Sequence, residues 1–448
     1  MERRFELRKE AMLAECEVAP QVFRGALERL AKFVEPFAEL LTQPAQRQHT
    51  AEYISGLVSD LKRKNVESIA YRHDQDRRNL QHFIGCAEWE HQPLMMELAK
   101  QVGEELGEDD GVIVIDPSAF PKQGKRSVGV ARQWCGRLGK VDNCQVAIYM
   151  GYVSSKEHAL VDTRLFLPRE WTKDKQRREK AGVPKEIRYR TRHQLCLEML
   201  AQHGDQLPHA WIAGDDEMGR PYWFRRRLDT LGEQYLLAVP CNTQIRDLEV
   251  APPEYGGRGR HPQRPWVRVD AWIESPDNRD WTTINVRDGS KGPLIVEVVK
   301  RRVVARTDKR QAGHEEVLVV VRFRERDKRR VVQTDYYLSN AAADTSEAEF
   351  ARVAKAEHRV EECIQRGKSE AGLADYEVRN WKGWHHHQIL SLIATWFLVT
   401  EARRGEKMGT GDHGSPNPRG HQSHRVEAIW MRYALSHPTP RRAASATK

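Results

Sequence analysis

Two short apolar runs, each ending in carboxylates, constrain this chain more than any other feature. Val112–Ile115 runs into Asp116, Pro117 and Ser118, and Ala210–Gly214 runs into Asp215, Asp216 and Glu217. A run of about four apolar residues bounded by turn formers reads as a strand buried on both faces. Two such strands, parallel and in one sheet, bring their carboxyl ends to the same edge, where α/β proteins place functional groups. Taken singly, an Asp before Pro is an ordinary solvated turn. Carboxylates held close together repel one another unless a cation sits between them. An oxygen-only donor set of this kind suits Mg²⁺ or Mn²⁺.

The rest of the composition narrows the class. The chain has 448 residues, enough for two or three packed units, with 73 Lys and Arg against 64 Asp and Glu. Its net charge of +9 and pI near 9.1 favour a polyanionic partner. Seven cysteines without a CxxC pair argue against a disulfide framework or a cysteine-zinc site, and suit a reducing compartment. No apolar run approaches a membrane span, and MERRFELRKEAMLAE at the start lacks a signal core. A cytoplasmic protein with no membrane partner is expected.

Five segments follow from the patterning. Residues 1–106 read as helical: Phe23, Leu27, Leu30, Phe33, Phe37 and Leu40 repeat at helical spacing, with Pro36 expected to bend or split that helix. Further helices are expected at 51–64, 76–87 and 93–106, with Lys62, Arg63 and Lys64 either touching phosphate or solvating a helix end. Residues 107–240 carry the two acidic strand ends, further strands at 127–135, 144–153, 158–166 and 234–239, and helices at 185–203 and 218–231. Within them, 164–192 interleaves eleven Lys or Arg with Trp171 and Tyr189, which suits a phosphate backbone as well as it suits a solvated loop. Residues 241–342 are β-rich, with strands expected at 266–273, 282–287, 294–304, 317–324 and 331–338. Residues 343–402 return to helix, and 403–448, rich in Gly, Pro, Arg and His with one amphipathic piece at 426–435, read as a flexible basic tail.

The helix expected from Ser346 has Phe350, Val353, Val360 and Ile364 on its inner stripe, with Glu361 and Glu362 beside it. Lys368 lies two turns after Glu361 and projects from nearly the same side. A carboxylate and an ammonium so placed suit a metal and a phosphate; a salt-bridged surface is the plainer reading. His385, His386 and His387 are consecutive, so on a helix they diverge rather than share an ion.

At several places in order, the chain resembles bacterial insertion-sequence transposases of the DDE superfamily, in the group typed by insertion sequence 701. The matching stretches are VIVIDPSAFPKQGKRSVGVARQWCGRLGKVDNCQV (112–146), LFLPREW (165–171), WIAGDDEMG (211–219) and EECIQRGKSEAGLADYEVR (361–379). YISGLVSDLKRKNVESIA (53–70) and LQHFIG (80–85) are similar to the family's N-terminal region. The resemblance implies an α/β fold: an RNase H-like catalytic core with a β-rich insertion and a helical N-terminal DNA-binding domain. It implies Asp116, Asp215 and Glu361 as the catalytic, metal-binding triad and Lys368 as the lysine that holds DNA near the cleaved end. Two departures stand out. Glu357 occupies the place where relatives carry an arginine, with Arg359 nearby as a substitute. The second motif reads GDDEMG rather than ADxxYG, which makes Asp216 a rival of Asp215, and Glu362 is likewise a rival of Glu361.

The implied activity is metal-dependent cleavage at transposon ends and transfer of the 3′-OH strand into target DNA. Two Mg²⁺ or Mn²⁺ ions are expected, and a homodimer that pairs two DNA ends near the nucleoid. Lys122, Lys125, Arg126 and Arg132, close to Asp116 in sequence, are candidates for neutralising phosphates. Two other readings remain: a transposase-derived DNA-binding or regulatory protein without catalysis, and a metal-dependent nuclease that cuts without joining.

Overall fold

Five helices open the computed structural model, which describes residues 25–275, 280–289, 292–324 and 331–409. They are α1 (Ala26–Glu39), α2 (Pro44–Val58), α3 (Val66–Arg72), α4 (Arg77–Gly85) and α5 (Gln92–Leu106). The inner face of α1 is Leu30, Val34 and Phe37; Leu27 and Leu40, expected inside, are exposed. Pro36 does not break α1. It lies on the exposed side near the helix end, where the carbonyl it leaves unbonded meets water. The expected inner residue Phe23 and the amphipathic piece at 426–435 lie outside the described residues.

Sequence reading missed α3, whose start is fixed by Asn65: its side chain accepts from the Ser68 N–H at 2.9 Å. The preceding Lys64 is buried and unsuited to phosphate. Its Nζ donates to the carbonyls of Leu57, Ser59 (2.6 Å) and Glu370 (2.7 Å). Its backbone N–H donates to Asp375 at 2.9 Å. The residue therefore ties the N-terminal helices to the later part of the chain.

The sheet begins with β1 (Val112–Pro121), β2 (Ala131–Cys135), β3 (Lys140–Val153) and β4 (His158–Leu165). Two short helices, α6 (Arg169–Lys173) and α7 (Lys175–Lys180), lead to α8 (Arg192–His203). This last helix starts seven residues later than expected because Thr191 and Gln194 form a reciprocal capping box. Then come β5 (Trp211–Gly214), α9 (Asp216–Gly219), α10 (Tyr222–Thr230) and β6 (Tyr235–Ala238). Pro221 divides what was expected as one helix into α9 and α10. The central strands run β3–β1–β5–β6, with β4 and β2 both on the outer side of β3. Strand β1 is antiparallel to β3 and parallel to β5, which is parallel to β6.

The β-rich segment contains β7 (Gln244–Asp247), β8 (Val267–Arg268), α11 (Val269–Glu274), β9 (Thr282–Gly289), β10 (Gly292–Arg306), β11 (Ala312–Arg324) and β12 (Val331–Ser339). The strand expected at 266–273 is mostly helix, because Val269 and Trp272 are buried at a helical spacing of three. These strands continue the same sheet: β12 pairs with β6 through Leu338 opposite Leu237. They also form a small apolar cluster of their own, around Ile245, Trp272, Val303 and Leu318.

Helix α12 (Glu347–Glu370), capped by Ser346, crosses the sheet. Its close approach depends on Gly151 of β3, since a Cβ there would lie 2.5 Å from Val360. Helix α13 (Trp381–Gly409) is buried on all sides around Ile389–Phe397, as expected of a core helix, and runs past the expected boundary at 402. The three consecutive histidines on it have separate partners. His385 bonds the Trp381 carbonyl at 2.9 Å, His386 stacks on Trp89 at 3.5 Å, and His387 meets the Tyr53 hydroxyl at 2.9 Å. Among the described residues no helix is long and apolar enough to cross a membrane.

Candidate active site

Ile115 of β1 lies opposite Gly214 of β5 in parallel register, so Asp116 and Asp215 follow at the same height on neighbouring strands. Strand β5 ends there, while β1 continues to Pro121, which leaves Asp116 within a strand rather than at its mouth. Asp215 is the N-cap of α9, and its Oδ1 accepts the Met218 N–H at 3.0 Å. Burial raises its pKa to about 7, aided by Glu217 and Asp216 and opposed by the Met218 bond and Arg192. Burial also raises Asp116 well above the carboxylate range, with further repulsion from Asp215 and Glu361 and relief from Lys368. Asp216 is exposed and faces Arg220 at 3.4 Å.

The third carboxylate comes from α12. Glu357, Glu361, Ile364, Gln365 and Lys368 are spaced four, three, one and three apart, and so share one helix face. Val360 lodged against Gly151 sets that face beside β1. Lys368 Nζ donates to Ser118 Oγ at 2.8 Å, two residues beyond Asp116 on the same side of β1. Glu361 is 57% exposed and lies 3.5 Å from His358, which also meets Glu362 at 3.4 Å. Those two carboxylates push His358 up to about 9.

These groups line a cavity of about 1060 Å³ that holds Asp116, Asp215, Asp216, Glu361 and Lys368. Glu362 does not line it. A second cavity, of about 580 Å³, shares Asp215 and Glu361 and adds Glu357, Lys355 and Asp335. Burial and the nearby charges of Asp215, Asp116 and Glu361 raise Glu357 well above its ordinary value. The residue that replaces an arginine thus adds a further carboxylate to the cluster.

The expected basic residues do not gather here. Lys122 sits 3.5 Å over the Tyr376 ring, and neither it nor Lys125, Arg126 or Arg132 lines the cavity. Arg359 is turned about 200° from Glu361 around α12, towards His158 of β4. The cations of the cavity besides Lys368 are Arg137, Arg192 and Arg220. They arrive from the β2–β3 turn, the start of α8 and the end of α9; Arg137 shares the matching stretch 112–146 with Asp116, whereas Arg192 and Arg220 lie outside it. The density of basic residues within 164–192 was the sequence signal for Arg192, and neither Arg137 nor Arg220 was singled out.

Among the described residues no three His, Cys, Asp or Glu side chains already stand as a closed set of metal ligands. The donor chemistry nevertheless fits a hard divalent cation. It is all carboxylate, it is crowded enough that burial and mutual repulsion raise Asp116 and Glu357, and a cation would relieve both.

Residues 36–293 match the family described as DDE superfamily endonuclease, a span that contains Asp116 and Asp215 and ends before Glu361. A 94-residue stretch is 33% identical to the "Probable transposase for insertion sequence element IS701" of Microchaete diplosiphon. That stretch is 21% of this chain and 25% of the relative, so the chain spans about a quarter of the relative's length. Among solved structures, a piggyBac transposase synaptic complex with hairpin DNA aligns over 95% of this chain and 83% of its own, at 10% identity and a TM-score of 0.38.

Proposed function

The chain belongs to the DDE superfamily endonucleases, and we propose that it is a DNA transposase that cleaves phosphodiesters at transposon ends and joins the freed 3′-OH to target DNA. The observation that carries this reading is the meeting of three elements in one cavity: Asp116 and Asp215 level on parallel strands, and Glu361 facing them from α12. The central strands β4–β3–β1–β5–β6 support an RNase H-like core, with residues 1–106 as a helical DNA-binding domain and 241–342 as its β-rich insertion.

Asp116, Asp215 and Glu361 are the residues that would hold two Mg²⁺ or Mn²⁺ ions. Such ions, when bound, activate the attacking hydroxyl and stabilise the leaving oxygen of an in-line displacement. The protein's own part is positional. The register of β1 against β5 fixes the first two carboxylates, and the capping bond to Met218 orients the second. The exposed Glu361 side chain, beside His358 and lining the same cavity, would complete the ligand set from α12. Lys368, braced on Ser118, neutralises a DNA phosphate beside Asp116. Hydrolysis and strand transfer are both direct displacements, so no nucleophilic side chain is required. Asp215 is preferred to Asp216 because it is half-buried and anchored by the Met218 N–H, and Glu361 to Glu362 because it faces the cavity. The active form is a homodimer that brings two ends together, acting in the cytoplasm at the nucleoid.

The test is cleavage of a labelled duplex carrying the element's end, in Mg²⁺ or Mn²⁺, by wild type and Asp116→Asn. Metal-dependent nicking at the end, abolished by the substitution, is expected. Binding without cutting by wild type would replace this reading with a regulatory DNA-binding protein. Cutting without joining would reduce it to a nuclease.

A further inference from the structure

Part of the cavity wall is the β2–β3 hairpin, whose turn, Gly136–Leu138, presents Arg137. Trp134, on the strand leading into that turn, lines the same cavity and is 56% exposed. Its cross-strand neighbour Val141 is 51% exposed, and Arg132 is exposed on the same face of β2. A tryptophan left in water next to a charged cavity is unusual, because burying its ring on the protein would be favourable. Arg137 has no hydrogen bond or ion pair among the described residues. It lies near Lys368, and like charges so placed are stabilised by an anion between them.

An unburied aromatic ring beside two cations is the combination that binds a nucleotide: the ring takes a base face and the cations take its phosphate. Inside a duplex both faces of each base are covered by neighbours, so Trp134 can reach a base only at a terminus or where it is unpaired. We propose that the β2–β3 hairpin is a nucleotide clamp: Trp134 stacks on an unpaired base next to the cut, and Arg137 and Lys368 grip its phosphate. The substrate class is thereby DNA whose end is opened beside the scissile bond. This inference rests on the transposase reading and names the state of the DNA that the site receives.

The experiment is equilibrium binding of the full-length protein, in EDTA, to two fluorescent DNAs carrying the element's end. One is fully paired, and the other has three unpaired nucleotides at the terminus. Trp134→Ala should weaken binding to the opened end on the order of tenfold and leave the paired duplex within about twofold. Trp134→Phe should restore most of the loss, since a smaller ring still stacks. Because Trp134 is exposed, its melting temperature should match wild type. Equal losses on both DNAs, or no loss on either, would overturn the clamp. Cleavage in Mg²⁺ is scored separately. Cutting that ignores Trp134 removes the clamp and keeps the catalytic reading, whereas Trp134-dependent binding without cutting does the reverse.

Discussion

Lys368 and Ser118 are 250 residues apart in sequence, yet a 2.8 Å hydrogen bond joins the Lys368 ammonium to the Ser118 hydroxyl. It fixes the last turn of α12 against β1, so Lys368 is held beside Asp116. Burial lowers the Lys368 pKa and Asp116 opposes that effect, so the charged lysine depends on an acidic partner at the site.

Lys368→Ala should therefore act on one phosphate rather than on the whole DNA surface. Binding to cleaved ends should weaken more than binding to random duplex, and the slope of log K against log salt should fall by about one on cleaved ends. Salt titrations by fluorescence anisotropy measure both. Equal losses on the two DNAs would assign Lys368 to general surface charge.

The carboxylate cluster should make the metal-free protein sensitive to pH. Asp215 is raised from 3.8 to about 7 in the folded chain. Between those values the folded state keeps a proton that the unfolded state releases, so stability falls as pH rises from about 4 to about 7 and then levels. The shift corresponds to about 4 kcal/mol at its upper limit. Melting curves in EDTA across that range should show a shallower decline for Asp215→Asn. Coincident curves for the two proteins would mean that Asp215 is not raised.

Arg225 and Glu316 form a buried ion pair between α10 and β11, with Arg225 Nε donating to Glu316 Oε1 at 2.7 Å and the Tyr235 hydroxyl donating to the same oxygen at 2.7 Å. Arg225→Met strands a buried carboxylate and should cost ~3–5 kcal/mol, read as a drop in melting temperature. Adding Glu316→Leu should return much of that stability, because the desolvated charge disappears with its partner. A double variant as unstable as the single one would contradict this account.

Glu357 and Glu361 share a helix face but should differ in function. Glu357→Gln removes a half-buried carboxyl whose ionisation burial and its acidic neighbours oppose, so it should raise the melting temperature in EDTA at pH 8. Glu361→Gln should reduce cleavage on the order of 100-fold or more, and Glu357→Gln by less than about tenfold. Comparable losses in the two variants would make Glu357 a full member of the catalytic set.

The sequence was most readable where pattern and structure share a period. Strands β9 to β12 lie close to their expected limits because alternating β-branched residues between turn formers leave little else. The inner stripe of α12 was equally plain, since Phe350, Val353, Val360 and Ile364 are all buried. Local chemistry misled where context decided. Pro36 was expected to interrupt α1 and is tolerated at its solvent side, while a capping box and Pro221 moved the limits of α8 and α10. Within the site, helix spacing put Glu361 and Lys368 on one side of α12 and the family resemblance singled them out, but adjacency in sequence was a poor guide to the other cations. Lys122 lies six residues past Asp116 along an extended strand, which is roughly 20 Å. Arg137, Arg192 and Arg220 become neighbours only after the chain folds. Glu357, noticed only as a missing arginine, acquired meaning from the face it shares with Glu361.

The pairing of β12 with β6 makes the β-rich segment something other than a detachable cassette. Excising the stretch between Pro240 and Asn340 would strip β6 of its neighbour and turn Tyr235–Ala238 into a raw edge one strand away from Asp215. An apolar edge with unpaired backbone groups recruits strands from other molecules, so the shortened protein would be prone to clump as well as to lose shape. Loops between β7 and β12 can therefore change length without baring β6, whereas loss of β12 would bare it.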